Sequence, residues 1–257
     1  MNAAALAFRQ VRYENKSFWR NPASAFFTFA FPLMFLFIFG TVFGDRTLIM
    51  DGQRVKQATF IVPAIAVFAV ISACFTSIAM SISLAREQGV LKRKRGTPMP
   101  PTAYLAGRIL HATAIEVLLV AIVVAAGRLF YGVAIPTHTL GAFVVTLIVG
   151  ALSFSALGFA ITAAVPNAEA APAVVNAVVL PLLFISDVFL GPNQSPEWMR
   201  RIADLFPIRH YLQAMLHSYN PFENGAGYAW QDLGIVAAWG LAGIILAVRF
   251  FKWEPSR

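Results

Sequence analysis

The chain has 257 residues, of which 58% are hydrophobic and only 12% charged, and its mean hydropathy is +0.68. A globule of this size lacks the interior to hide so much apolar surface, which excludes a soluble enzyme or binding domain and makes lipid the solvent for most of the chain. The net charge of +8 would suggest nucleic acid in a soluble protein, but basic residues flanking apolar runs act here as topology signals, and no nucleic-acid partner is expected. A lone cysteine, Cys74, excludes an intrachain disulfide.

Residues 5–20 mix Leu6, Phe8, Val11, Tyr13, Phe18 and Trp19 with Arg9, Arg12, Lys16 and Arg20, the pattern of a helix lying along a membrane surface. Six stretches then approach the roughly 20 apolar residues that about 30 Å of hydrocarbon requires. They cover residues 22–44, 58–84, 105–127, 140–165, 170–190 and 233–250. The first is too long for a cleaved signal core and reads as a retained helix. The fourth carries a stripe of small residues, Ala151, Ser155, Gly158 and Thr162, which lets another helix approach closely. Between the fifth and sixth spans, Ser195-Pro196-Glu197 and Pro207 each start a short helix. The expectation is an all-α integral membrane protein, one permease domain over 1–257. It has six transmembrane helices, an N-terminal interfacial helix and short outer helices between spans five and six.

With the N-terminus in the cytoplasm, 13 of the 20 basic residues fall in inside segments and 7 in outside ones. The run Lys92–Arg95 belongs to the majority, so both termini are expected in the cytoplasm of a cell-membrane protein. An even number of spans agrees.

Three runs carry a family likeness. Arg20-Asn21-Pro22 leads to Phe31-Pro32-Leu33 and Phe39-Gly40-Thr41-Val42-Phe43-Gly44. Arg86-Glu87-Gln88-Gly89-Val90-Leu91-Lys92-Arg93 is followed by Gly96-Thr97-Pro98 and Tyr104-Leu105-Ala106-Gly107-Arg108. Leu180-Pro181-Leu182-Leu183-Phe184-Ile185-Ser186 precedes Pro196-Glu197-Trp198 and Leu205-Phe206-Pro207. In this order the chain resembles ABC-type-2 exporter permeases, nearest to the drug- and antibiotic-efflux subgroup typified by daunorubicin-resistance membrane subunits.

The resemblance implies a half-transporter that moves an amphipathic drug, antibiotic or lipid outward. A second permease copy or a sister permease would pair with it, and a cytosolic ABC ATPase subunit would supply the energy. The chain has no Gly-x-x-x-x-Gly-Lys-Ser/Thr, so no nucleotide cofactor is expected on it, and ATP and Mg belong to the partner. Neither catalytic residues nor a metal site are expected, since His210 and His217 lie nearly two helical turns apart. By similarity, the loop holding Glu87, Gly89, Leu91, Lys92, Arg93, Lys94, Arg95, Gly96, Thr97 and Pro98 would press into the ATPase. The same basic run also serves as a topology and lipid-binding signal. In the family, an acid at the position of Glu87 ties to the interfacial helix, making Arg9, Arg12 or Arg20 its candidate partners.

Candidate lining residues for a translocation path are Phe68, Phe75, Glu116, Asn176, Phe184 and Asp187. A carboxylate at the centre of a span costs on the order of 2.5–3.5 kcal/mol, so Glu116 is expected to be neutral, hydrogen-bonded or facing water. It marks either a substrate route or an interhelical contact. Asp187 would favour a cationic substrate or pair with Arg128 or Arg209. Competing readings are a polysaccharide or glycolipid export permease, which needs a wide polar channel, a membrane-embedded enzyme, and a secondary transporter. The last predicts inverted repeats, and none is visible.

Overall fold

The computed structural model describes residues 3–50, 53–96, 100–189, 191 and 195–250. In chain order, α1 (Ala3–Trp19) and α2 (Pro22–Phe43) precede a β-hairpin of β1 (Thr47–Met50) and β2 (Gln53–Lys56). Next come α3 (Ala58–Val70), a π-helical turn (Ile71–Thr76), α4 (Ser77–Glu87), α5 (Val90–Arg95) and α6 (Pro101–Tyr131). The chain continues through α7 (Leu140–Ile161), α8 (Ala171–Ile185), α9 (Glu197–Ala203), α10 (Pro207–Ser218) and α11 (Trp230–Phe250). Among the described residues, five helical rods, namely α2, the rod from Ala58 to Glu87, α6, α7 and α11, are long and apolar enough to cross a membrane, and α8 is a shorter apolar helix. The molecule is an all-α integral membrane protein with one small hairpin, which the sequence reading did not place.

Local chemistry sets the boundaries. The Asn21 side chain accepts from Ser24 N (3.2 Å) and Pro22 occupies the first turn, so the chain breaks after α1 and restarts as α2. The rod from Ala58 to Glu87 is apolar nearly all round its upper part and is buried by its neighbours, as such a helix must be. Its π-helical turn pushes the backbone toward α7, and α7 accepts it at Gly158, where a Cβ would lie 2.8 Å from the Phe75 carbonyl oxygen. Of the small-residue stripe on α7, Gly158 makes this approach, while Ala151, Ser155 and Thr162 are buried beside it. On another face of α7, Gly240 and Gly243 of α11 come against Ser153 and Leu157.

The fifth expected span, 170–190, is only partly helical. α8 has 15 residues, about 22 Å of helix, too short for the hydrocarbon. Helix stops at Ser186 because Asp187 adopts a left-handed conformation (φ 63°), which Asp tolerates better than most residues. The irregular stretch is buried at Ser186, Asp187 and Val188, and Phe189 lies among Phe35, Phe39 and Phe68 at ring distances of 5.3–5.9 Å for the pairs with Phe189 and Phe35–Phe68. Non-helical backbone at this depth is tolerated only because protein surrounds it.

α10 does not lie on the surface but inserts along α7. Thr139 Oγ1 donates to Ser218 O (2.5 Å), Phe143 meets Tyr219 (5.8 Å) and Phe154 meets Tyr211 (5.3 Å). Those α7 residues span about 22 Å along its axis, so α10 reaches to mid-bundle. Gly150 makes the insertion possible, since a Cβ there would lie 2.3 Å from the Tyr211 ring. Gly150→Val should therefore cost about 1–3 kcal/mol through overpacking, read as a lower melting temperature of the detergent-solubilised chain. Gly234→Ala on α11, where nothing stands within 4 Å of the added carbon, should change it little.

Candidate functional site

The end of the bundle that carries α5 is built from four elements. Gly89, with φ 67°, turns the chain sharply from α4 into α5, a conformation that glycine adopts without strain. Leu91 is fully buried and anchors α5, Lys92, Arg93 and Gly96 are exposed, and Lys94 turns inward. Lys94 Nζ donates to Gln10 Oε1 (3.1 Å) and stands 4.4 Å from the centroid of the Tyr104 ring. Burial holds the Lys94 ammonium below the ordinary lysine range, with the Glu14 charge pulling the other way. Thr97 and Pro98 lie outside the described residues, as does the side chain of Arg95.

The interfacial helix α1 docks on the same place. Gln10 Nε2 donates to Glu14 Oε1 (2.6 Å), Glu14 pairs with Arg108 (3.4 Å), and Arg108 Nη1 donates to the Tyr104 hydroxyl (3.0 Å). Gly107 lets the helices touch, because a Cβ there would lie 2.6 Å from Gln10 Cβ. One cluster thus joins α1, α5 and the start of α6. The sequence reading missed Glu14, although it is the single acid among the first 44 residues and shares a helix face with Gln10.

Glu87 is not the residue that holds α1. Its Oε2 accepts from Ala168 N (2.5 Å) in the turn between α7 and α8, instead of pairing with Arg9, Arg12 or Arg20. Arg86 is buried beside it, where Nη1 donates to Thr162 O (2.9 Å) and Nη2 to Val165 O. A guanidinium here satisfies carbonyls that the end of α7 leaves without helical partners. The Arg86-Glu87 pair therefore grips the base of α8, one short turn away from the exposed face of α5.

Of the six candidate lining residues, Phe68 and Phe184 meet around Phe189, each at a ring distance of 5.5 Å from it and with Asp187 close to it in sequence, whereas Phe75, Glu116 and Asn176 lie elsewhere. Phe68 is buried 5.9 Å from Phe31 and 5.3 Å from Phe35. Phe75 lines an apolar crevice of about 320 Å³ that also touches Leu157, Val178, Leu182, Trp239 and Leu246. Asn176 and Phe184 lie with Leu180 on an exposed stripe of α8, at four-residue spacing, beside its buried stripe of Val175, Val179 and Leu183. Asp187 pairs with neither Arg128 nor Arg209. It accepts from the Ser195 hydroxyl, and Arg209 Nε bonds Asp204 (3.0 Å) instead. Ser195 consequently does not cap α9, which begins after Pro196.

Glu116 is 0% exposed, and neither carboxyl oxygen has a hydrogen-bond partner among the described residues. The Cys74 thiol on the π-helical turn and Tyr211 on α10 are within electrostatic reach of it. The Tyr211 hydroxyl is likewise buried without a partner among the described residues, and the Ser155 hydroxyl faces the Cys74 thiol. Glu116 is thus part of an internal polar centre where α6, α7, α10 and the π-helical turn meet. The two outer histidines take separate carboxylates, His210 with Asp232 (2.7 Å) and His217 with Glu223 (3.3 Å).

Residues 7–219 match the family described as ABC-2 type transporter, which is most of the chain. The chain belongs to the ABC-2 type transporter family. It is 30% identical over 218 residues to a daunorubicin resistance ABC transporter permease protein of Streptomyces coeruleorubidus, covering 80% of this chain and 69% of that one. It is 26% identical over 186 residues to the inner membrane transport permease YadH of Escherichia coli (strain K12), covering 72% and 71%. The family's chains are transport subunits, so the two grips at the α5 end belong to a permease.

For this ABC-2 permease, Glu14→Gln and Arg108→Gln should each destabilise the docking of α1. In a double-mutant cycle on thermal unfolding the pair should show a coupling of about 1 kcal/mol, since both side chains are largely buried. Strictly additive losses would mean that the two do not interact.

Proposed function

We propose that this permease is the membrane half of an ATP-driven exporter that moves an amphipathic drug, antibiotic or lipid outward. A separate cytosolic ABC ATPase powers it, ATP and Mg stay on that partner, and a second permease copy or sister chain completes the translocation unit. The daunorubicin-resistance relative supports the efflux reading. The charge balance of the loops supports placing the α5 end and both termini in the cytoplasm of the cell membrane.

The observation that carries the reading is the construction of α5. Leu91 and Lys94 fix it from behind, Lys92 and Arg93 are exposed, and Arg86-Glu87 hold the base of α8. An ATPase pressing on that basic face moves α5 as a rigid piece, and the pull reaches α8 within one turn of chain. The fifth of six crossings is then α8 completed by residues 186–189. The exposed stripe Asn176, Leu180 and Phe184 suits a face that meets the second permease across the substrate path.

Two outcomes test this. The purified permease should hydrolyse no ATP, and reconstitution with its cognate ATPase should give substrate-stimulated hydrolysis; turnover by the pure chain would remove the half-transporter reading. Lys92→Glu combined with Arg93→Glu should lower transport at least about tenfold relative to hydrolysis while membrane insertion stays normal. Unchanged transport would reduce the basic run to a topology signal.

A further inference from the structure

Between α2 and α4 the bundle does not close at its α5 end. A vestibule of about 670 Å³ remains, bounded by α1, α2, α4 and α6, within the range of small-molecule sites. Ser17, Ser24 and Thr28 line one wall. Ser72, Thr76, Ser77 and Ser81 line the facing wall, along the π-helical turn and α4. The vestibule also has an apolar side, supplied by Phe18, Phe27 and Phe31. His111 lies there with a buried Nε2 that has no partner among the described residues.

The charge on this lining is already spent. Glu14 and Arg108 both border the vestibule and are paired with each other at 3.4 Å. A phosphate or carboxylate head would have to break that pair to gain a cation, and an ammonium head would have to break it to gain an anion. The Thr28 and Ser81 hydroxyls donate to carbonyls of their own helices and can still accept, while Ser17, Ser72, Thr76 and Ser77 can donate and accept in turn, which matches an uncharged head that does the same. The phenylalanine rings suit the apolar body attached to it.

We propose that this vestibule takes up the uncharged, hydroxyl-rich head of an amphiphile, a glycosyl group on an apolar body, from the leaflet at the α5 end. The proposal rests on the exporter reading above and adds to it an entry site and the chemistry of the cargo's head. A membrane glycolipid and a glycosylated small molecule share that chemistry.

The test uses the permease alone in phosphatidylcholine nanodiscs, titrated with fluorescent 4-methylumbelliferyl β-D-glucoside and with its aglycone, 4-methylumbelliferone. The glucoside should bind saturably and at least about tenfold tighter, the difference that one or two hydrogen bonds make. Ser77→Leu, which fills the vestibule from α4, should weaken the glucoside about tenfold at an unchanged melting temperature, and Ser77→Ala should weaken it less. Competition by monogalactosyl diacylglycerol in the discs supports a glycolipid as the source, and its lack supports a soluble glycoside. Equal affinity for glucoside and aglycone, no saturable binding, or no effect of Ser77→Leu overturns the proposal. No ATPase is present in this measurement, so a failure here leaves the exporter reading standing; that reading is tested separately, by ATP hydrolysis with and without the partner ATPase.

Discussion

Hydrocarbon offers a polar atom no partner, and nearly every irregular feature of this permease follows from that constraint. Where the chain leaves helix at Asp187, the side chain is caught by Ser195 and the neighbouring backbone is buried in protein. Where α7 ends, Arg86 reaches across to its last carbonyls. Where the rod from Ala58 to Glu87 bulges, a glycine on α7 makes room for the displaced backbone. Glu116 is the point at which the constraint is least satisfied, since it is fully buried and neither carboxyl oxygen has a partner among the described residues. A centre of this kind favours a fixed arrangement of α6, α7 and α10, since loosening it would bring unpartnered oxygens against lipid.

The same economy gives the α5 end its mechanical character. A six-residue helix has little stability of its own. Here it is fixed by Leu91 beneath, by Lys94 against Tyr104 and Gln10, and by the Gly89 turn that joins it to α4. Its basic outer face is therefore presented by a rigid mount. The Glu14–Arg108 pair and the Gly107 approach add α1 to that mount, so an interfacial helix and a short basic helix move together.

The apolar spans were legible because each needs a long run of one chemistry, and five of the six emerge within a few residues of their expected ends. The fifth reads too long in sequence because Ser186 to Phe189 are compatible with a membrane span, while the helix stop is imposed by a buried contact eight residues away. The hairpin was missed because Thr47–Met50 and Gln53–Lys56 alternate only weakly. For the functional residues, position along the chain was a good guide to depth and a poor guide to partners. Glu87 was correctly placed at the exit of the second span, but its bond goes to Ala168. Asn176 and Phe184 fall on the outside of α8, whereas Glu116 and Phe68 fall inside the bundle.

By itself the sequence determined the solvent and the basic element at one end, because these depend on composition summed over about twenty residues and on where charges interrupt an apolar run. The tertiary structure decided which side of each helix meets which neighbour, hence that Glu14 rather than Glu87 ties α1 to the bundle and that α10 enters it. The physical reason is that spans this uniformly apolar present almost no polar face from which an orientation could be read. Their rotation is set by a few close approaches, such as Gly107 on Gln10, Gly150 on Tyr211 and Gly158 on the π-helical turn, which exist only once the helices are packed.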